Sequence, residues 1–252
     1  MNPVQSEFLN EILAKKSVLG RTERTYEDAR IYDDIPKLFI KIHKYLIKPV
    51  SYWGSSRILR KQVLKAAGAA KGLTVIDVSA GDDSINIELA KQAKKLVAND
   101  IVDKTLNPLR LLSKKEKVRI TFSNKNILKL DARKKFDLVL CKNTLHHLNT
   151  VRQMTSALFK LKQLTKPYGK LVIMDVENPA LSLKARLWNA YYVLMLKDQG
   201  GFFINYDLFV DMLALVFVGY TIKTKKISTI KGDYMMAEIF KLPVRETLKI
   251  QL

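Results

Sequence analysis

The alternation of short apolar segments with longer amphipathic segments constrains the fold of this sequence more than any other feature. The pattern predicts strands over 73–78, 95–99, 117–122, 135–141 and 170–176, with helices up to about residue 94, over 104–114 and over 150–164. Strands that alternate with helices pair in parallel and carry helices on both faces of the sheet. A helix over 206–216 and two strands, 219–227 and 234–241, are expected to close the unit.

Residues 1–70 precede this alternation and read mostly as helices separated by a polar stretch. Pro36 is well placed to begin a basic helix, and Pro49 is well placed to end it. We therefore expect an N-terminal helical cap over residues 1–70, followed by a main domain over residues 71–252.

Composition excludes several classes of protein. The single cysteine, Cys141, rules out a disulfide framework, and three histidines leave little material for a zinc site, so no metal is expected. No stretch reaches the roughly 18 charge-free apolar residues of a membrane span. The first residues include Glu7 and Glu11 and lack the apolar core of a secretory signal. A cytoplasmic protein is the expectation.

The positive charge is concentrated in two segments. The chain has 44 Lys and Arg against 24 Asp and Glu, and residues 35–76 and 91–135 carry +9 and +10 of the net +20. Such a field favours an anionic partner, which can be a nucleic acid, a lipid surface or a charged metabolite. Nucleic acid is the less favoured of these, because no arginine-rich tract or aromatic-interleaved RNA motif occurs.

A stripe of lysines in the basic helix indicates contact with an anionic membrane surface. Lys37, Lys41, Lys44 and Lys48 are spaced so that they share one helical face, while apolar residues lie on another. Basic amphipathic helices of this kind rest on anionic bilayers, which makes peripheral membrane association one expectation. A solvated face of a helix that covers the domain gives the same pattern.

Polar and small residues stand where each predicted strand ends, and this is the edge at which open α/β sheets bind ligands. Asp100 follows the second strand by one residue, where a carboxylate can accept hydrogen bonds from both hydroxyls of a ribose. The other candidates at strand ends are Asp77 near the end of the first strand with Ser79 and Gly81 after it, Ile101 beside Asp100, Asn126 and Ile127 after the third, Asn143, His146 and His147 after the fourth, and Asp175 near the end of the fifth.

These residues and their spacing resemble those of class I S-adenosylmethionine-dependent methyltransferases, and in particular the small-molecule type that includes quinone-ring methyltransferases. The matching pieces are Val75–Gly81, Asp100, Phe136–Val139, Leu145–Leu148 and Lys166–Leu171. The resemblance implies a Rossmann-like three-layer α/β sandwich whose seven-stranded sheet is mostly parallel, with an antiparallel last strand. It also implies S-adenosyl-L-methionine as the cofactor.

The resemblance assigns roles to individual residues around that cofactor. Asp77 would hold its amino group, Asp100 its ribose, and Asn126 with Ile127 its adenine, while Tyr32 resembles the family's tyrosine that closes over the site. Ser79, Gly81, Ile101 and Asn143 are the other cofactor-binding candidates.

The first loop departs from the family pattern. Ser79 and Asp83 replace glycines, and Asn126 replaces an acid. The side chain of Asp83 is expected to crowd the methionine end of the cofactor and to oppose its carboxylate.

Two histidines are the candidates for acid–base chemistry. His146 and His147 follow the fourth strand, near the expected position of the transferred methyl group, and a hydroxyl acceptor needs a base that works near pH 7. Asp175, at the end of the neighbouring strand, could orient the imidazole of either one, and a purely capping or packing role for the histidines fits equally well. Residues 180–204, rich in aromatic side chains, occupy the place of the family's substrate lid.

The predicted function is methyl transfer to oxygen or carbon of a small, apolar or aromatic acceptor. Two alternatives remain open, an RNA methyltransferase and a degenerate, non-catalytic interaction protein on the same fold. A nicotinamide dehydrogenase is disfavoured because its first loop needs three glycines and Gly81 stands alone.

Overall fold

A seven-stranded sheet with helices on both faces forms the body of the protein, in a computed structural model that describes residues 41–195 and 201–241. Its strands are β1 (Thr74–Asp77), β2 (Lys95–Asn99), β3 (Thr121–Ser123), β4 (Phe136–Lys142), β5 (Thr165–Val176), β6 (Thr221–Thr229) and β7 (Gly232–Phe240). The α-helices are α1 (Arg57–Ala67), α2 (Ile85–Ala90), α3 (Asn107–Lys115), α4 (Val151–Leu164), α5 (Leu183–Met195) and α6 (Tyr206–Val216).

The strand order is β3-β2-β1-β4-β5-β7-β6, and only β7 is antiparallel to its neighbours in the described residues. β1 lies in the middle of the sheet. The chain adds β2 and β3 on one side of β1 and then the remaining strands on the other side, so the direction in which strands are added reverses between β1 and β4. The predicted fold class, a Rossmann-like three-layer sandwich with a mostly parallel sheet and an antiparallel last strand, is confirmed.

Strict alternation along β4 divides the core into two layers. Leu138 and Leu140 point to the layer that α1, α2 and α3 cover, whereas Val139 and Cys141 point to the layer that α4 and α6 cover. A central parallel strand is buried on both faces, which explains why its sequence is almost continuously apolar. Cys141 is fully buried, and burial raises the pKa of its thiol, so this cysteine is a core residue.

The N-terminal helical region joins the sheet through α1. Leu59, Val63, Ala66 and Ala67 form its buried face and belong to the same apolar cluster as β1. The division between a cap and a main domain at residue 70 stays a prediction. None of the helices within residues 41–195 and 201–241 is both long and apolar enough to cross a bilayer.

Pro49 does not end the basic helix, and this expectation was wrong. Helical turns continue through His43–Ile47, Lys48–Ser51 and Tyr52–Ser56 into α1. The turns on both sides of Pro49 are of the wider π type, which relaxes the regular hydrogen-bond ladder where proline lacks an N–H. The residues before 41, including Pro36, Lys37 and Tyr32, lie outside the described residues.

β5 begins earlier than its apolar pattern suggests, because α4 runs directly into it at Thr165. Lys166 there pairs with Asp137 at 2.9 Å, and Gly169 passes close to the β4 backbone. A Cβ at Gly169 would lie 2.9 Å from the Asp137 carbonyl oxygen, so only glycine fits. Residues 165–169, which precede the predicted strand 170–176, are therefore the first part of β5.

Asn99 ties together the loops that follow three adjacent strands. Its buried amide donates to the carbonyl oxygens of Val78 at 3.0 Å and Lys125 at 2.9 Å, and its Oδ1 accepts from the Lys125 N–H at 3.1 Å. Backbone groups that leave a buried sheet, such as the carbonyl of the buried Val78, need such partners because the interior offers them few others. Asn99 therefore shapes the edge of the sheet on which the candidate site is built.

We expect Asn99→Ala to lower the free energy of unfolding by about 2–4 kcal/mol, since it leaves buried backbone groups unpaired. Urea denaturation measures this change. Asn124→Ala is the matched control, because the exposed Asn124 amide also bonds two carbonyl oxygens, at 3.1 and 2.7 Å, that water can reach. Equal losses in the two variants would show that the buried network is not special.

Candidate cofactor and catalytic site

The carboxyl edge of the sheet brings the predicted site residues to one side of the molecule. Gly81 in the loop after β1 donates its N–H to Asp100 Oδ2 at 3.0 Å, and Asp100 follows β2. Gly81 has a φ of +48°, a conformation that glycine adopts without strain, and open space surrounds the position of a Cβ. The loops after the first two strands therefore meet through one hydrogen bond.

Asp100 retains the capacity to bind a ligand. Its Oδ1 accepts from the Val102 N–H at 3.0 Å, so each carboxylate oxygen has one backbone partner. A carboxylate can accept about four hydrogen bonds, which leaves room for two hydroxyl donors. Burial raises the pKa of Asp100, although the two N–H donors oppose that rise.

The predicted adenine residues lie beside this loop, and their side chains already have structural roles. Asn126 Oδ1 accepts from the Leu128 N–H at 2.9 Å, and Ile127 is only 7% exposed in the core. Ile101 presents its carbonyl oxygen to Asn124, and Ser79 is half-buried in the first loop. The assignment of these residues to the cofactor stays a prediction.

Lys142, which sequence reading missed, lies between two acids of the first loop. Its Nζ is 3.0 Å from Asp77 Oδ2 and 2.5 Å from Asp83 Oδ2. Burial alone would favour a neutral lysine, but the two carboxylates raise the Lys142 pKa instead. For Asp83 burial opposes ionisation, yet the Lys142 charge lowers the pKa below its ordinary value.

Asp77 is fully buried and has one oxygen without a donor. Oδ2 accepts from Asn86 Nδ2 at 2.9 Å as well as from Lys142, whereas Asp77 Oδ1 and Asn86 Oδ1 accept no hydrogen bond within the described part of the chain. Buried acceptors without donors are rare. They fit a bound group that brings donors and positive charge, as the amino end of S-adenosylmethionine does.

Asp175 organises the turn that follows β4. Its Oδ2 accepts from the backbone N–H groups of Thr144 at 3.2 Å, Leu145 at 2.5 Å and His146 at 3.2 Å. Its Oδ1 also accepts a hydrogen bond from His146 Nδ1. Because a carboxylate only accepts, Nδ1 carries the proton and Nε2 of His146 is the basic atom.

His146 and His147 are not equivalent. His146 makes a hydrogen bond to Asp175 through Nδ1, and its ring lies parallel to that of Phe203 at 5.4 Å. The His147 ring contacts the His146 ring, with centroids 4.0 Å apart. Asn143, which precedes this turn, has a φ of +49°, a backbone conformation that is uncommon outside glycine.

The end of the predicted lid returns to His146. Phe202 donates its N–H to the His146 carbonyl oxygen at 2.7 Å, and a Cβ at Gly201 would lie 2.5 Å from that oxygen. The residues packed around His146 at this point are Leu145, Met154, Asp175, Val176, Phe202, Ile204 and Met235. Trp188 and Tyr191 of α5 contact each other, and the side chain of Tyr192 lies outside the described residues.

The comparison with known proteins identifies the family. A sequence profile of the methyltransferase domain family matches residues 69–210, more than half of the chain. The chain therefore belongs to the methyltransferase domain family, and the predicted resemblance is confirmed.

Relatives and solved structures agree with this assignment. The chain is 26% identical over 145 residues to the ubiquinone biosynthesis O-methyltransferase of Rickettsia conorii, covering 56% of this chain and 49% of that protein. It is 28% identical over 171 residues to the demethylmenaquinone methyltransferase of Renibacterium salmoninarum, covering 67% of each chain. The chain thus spans about half the length of the ubiquinone O-methyltransferases it matches.

The fold is similar to that of 1,6-didemethyltoxoflavin-N1-methyltransferase from Burkholderia thailandensis, with a TM-score of 0.59 and 15% identity. The match covers 89% of this chain and 93% of that chain, whose crystal structure contains 1,6-didemethyltoxoflavin and S-adenosylhomocysteine.

The buried charge of Asp175 predicts a pH dependence of stability. Burial opposes its ionisation, but His146 and the backbone donors hold the pKa of Asp175 below its ordinary value. A lowered folded-state pKa stabilises the protein above the unfolded value of about 3.9, and that stabilisation is lost as the pH falls.

We expect Asp175→Asn to be less stable than the parent by about 3 kcal/mol at pH 7, with the difference narrowing toward pH 3. Denaturant titrations across this pH range measure it. Asp82→Asn, which changes an exposed acid, should follow the parent. A difference that stays constant with pH would contradict the assigned charge state of Asp175.

Proposed function

We propose that the protein transfers a methyl group from S-adenosylmethionine to a small apolar or aromatic acceptor. The carrying observation is that the Gly81–Asp100 contact and the His146–Asp175 pair lie on the same edge of the sheet in a methyltransferase-family chain. The side with Asp100 suits a nucleoside, and the side with His146 offers a general base. When bound, the cofactor supplies an activated methyl group on a sulfonium.

The cofactor-binding role falls to the residues of the first two loops. Asp100 would accept the ribose hydroxyls, Asn126 and Ile127 would lie against the adenine, and the acidic residues near Asp77 would hold the amino end. The other members of the proposed site are Ser79, Gly81, Ile101 and Asn143, together with Tyr32, which lies outside the described residues.

Asp100→Asn should weaken the binding of S-adenosylhomocysteine about tenfold, because hydrogen bonds to a charged acceptor are worth about 1.5–3 kcal/mol and neutral ones about half as much. Isothermal titration calorimetry measures this change. Asp103→Asn is the control, since its exposed carboxylate pairs with Arg110 nearby. If the parent binds no S-adenosylhomocysteine, the non-catalytic alternative replaces the proposal.

His146 is the proposed general base for a hydroxyl acceptor. Its Nε2 would take the hydroxyl proton, while Asp175 keeps the ring in one tautomer and stabilises the charge that develops on it. Apolar side chains surround His146, and the names of the relatives, a ubiquinone biosynthesis O-methyltransferase and a demethylmenaquinone methyltransferase, point to an aromatic acceptor.

His146→Gln should lower the turnover about 10²–10⁴-fold on the true acceptor while the affinity for S-adenosylhomocysteine stays nearly unchanged. His147→Gln should have a smaller effect, because the hydrogen bond that orients the proposed base is the one between His146 Nδ1 and Asp175. A screen of phenols and hydroquinones with labelled cofactor identifies an acceptor for the measurement. Equal turnover in both variants and the parent would leave proximity alone as the source of the rate.

An apolar surface near the N-terminal helices supports docking on an anionic membrane. Tyr45, Leu46 and Trp53 are 65%, 65% and 63% exposed, and Arg57 lies over the Trp53 ring. A helical face that combines exposed large apolar side chains with basic ones matches the interface of an anionic bilayer. Such docking would bring the enzyme to an apolar acceptor dissolved in the lipid.

Leu46→Ser/Trp53→Ser should lose sedimentation with vesicles that contain phosphatidylglycerol, whereas the parent should sediment and release at high salt. Leu111→Ser removes an equally exposed leucine, 69% exposed on α3, and should behave as the parent. No sedimentation of the parent would rule out membrane docking by this surface.

A further inference from the structure

The first loop contains a cluster of charges that the roles described so far do not explain. Lys142, at the end of β4, is 4% exposed and contacts both Asp77 and Asp83. A lysine held in the interior is costly unless acids compensate it, and here two acids face one ammonium. The three side chains together therefore carry a net charge of −1.

Other charges do not balance this excess. Arg60 on α1 faces Asp83, but its guanidinium contacts Glu88 of α2. Asp77 Oδ1 and Asn86 Oδ1, both buried, accept no hydrogen bond in the described ranges. Arg60 Nε is also buried without a hydrogen-bond partner among the described residues, so the site offers two unpaired acceptors and a net negative charge beside one unpaired donor.

Asp83 is the member of the cluster that a ligand can reach. Its side chain is 40% exposed, whereas those of Asp77 and Lys142 are 0% and 4% exposed. Its Oδ1 accepts from the Ile85 N–H at 3.0 Å and its Oδ2 from Lys142, so the carboxylate is held in one orientation from two sides. A preorganised carboxylate at the mouth of the first loop can accept from a cation without reorganising.

We propose that Asp83, held by Lys142, is a recognition residue for the α-ammonium group of the cofactor's amino-acid end. The inference rests on the proposed function and reverses the expectation that Asp83 hinders binding. Lys142 acts as a positioning residue, because it keeps Asp83 ionised and separates two carboxylates that would otherwise repel each other. The lowered pKa of Asp83 agrees with this role.

The ammonium, and not the carboxylate, of the amino-acid end is therefore the group that the loop selects. A buried Lys142 cannot approach a ligand carboxylate as easily as the exposed edge of Asp83 approaches a ligand ammonium. Analogues of S-adenosylhomocysteine that lack one of these groups separate the two possibilities. 5′-Methylthioadenosine lacks both groups and reports on the nucleoside part alone.

Calorimetric titration of the whole protein with four ligands tests the inference. For the parent, removing the amino group from S-adenosylhomocysteine should weaken binding about tenfold or more, since it removes hydrogen bonds to a charged acceptor. Removing the carboxylate from S-adenosylhomocysteine should weaken binding much less. If the carboxylate proves the more important group, the assignment to Asp83 is overturned.

Variants then locate the effect. Asp83→Asn should erase the preference for ligands with an amino group and leave the affinity for 5′-methylthioadenosine unchanged, and Asp82→Asn, one residue away and exposed, should keep the preference. Lys142→Met should weaken the binding of S-adenosylhomocysteine and lower the melting temperature of the protein. Adding Asp83→Asn to this variant should restore part of the lost melting temperature. An unchanged preference in Asp83→Asn would refute the proposal.

The same titrations distinguish failure of this inference from failure of the proposed function. If the parent binds neither S-adenosylhomocysteine nor 5′-methylthioadenosine, the cofactor assignment itself is wrong. If it binds both equally well, the nucleoside site stands and the amino-acid end is not recognised by Asp83.

Discussion

Backbone groups that leave a buried parallel sheet need hydrogen-bond partners, and this requirement governs the functional edge of the protein. Those partners are supplied by Asn99 at the end of β2, Asp100 directly after it, and Asp175 near the end of β5. Each is held in place because several N–H or C=O groups converge on it. The same convergence places carboxylates at the edge where a methyltransferase-family chain is expected to bind its ligands.

Asp175 shows how one carboxylate can serve structure and chemistry together. It accepts three backbone N–H groups from the turn after β4 and also holds His146 Nδ1. The turn and the imidazole are therefore positioned by the same group, and the Phe202 N–H bonds the end of the predicted lid segment to the His146 backbone. A change in any of these contacts would move the proposed base relative to the apolar side chains around it.

The acidic first loop is an instance of charge compensation. Glycine at the position of Asp83 would need no partner, whereas Asp83 is accompanied by a buried Lys142 that is 59 residues away in sequence. The pair keeps the loop compact despite its charge. It also leaves a net negative site, which a ligand ammonium complements. Under the proposed recognition by Asp83, the departure from the family pattern is an altered way of binding the same end of the ligand.

Local sequence patterns were sufficient for the order of strands and helices and for the family, because apolar periodicity and strand-end motifs depend on neighbours in the chain. Helix 206–216 was placed correctly for this reason, whereas the start of β5 was not, since the Gly169 approach to β4 and the Lys166–Asp137 pair are long-range contacts.

Only the tertiary structure decided which histidine contacts Asp175 and what surrounds Asp83. The sequence placed His146, His147 and Asp175 at neighbouring strand ends, but the direction of each ring depends on the turn that the Asp175 carboxylate organises. The sequence also left Lys142 unnoticed, because a lone lysine at the end of an apolar strand reads as solvent-exposed. Its burial follows from two carboxylates that folding brings to it, and no local pattern encodes that meeting.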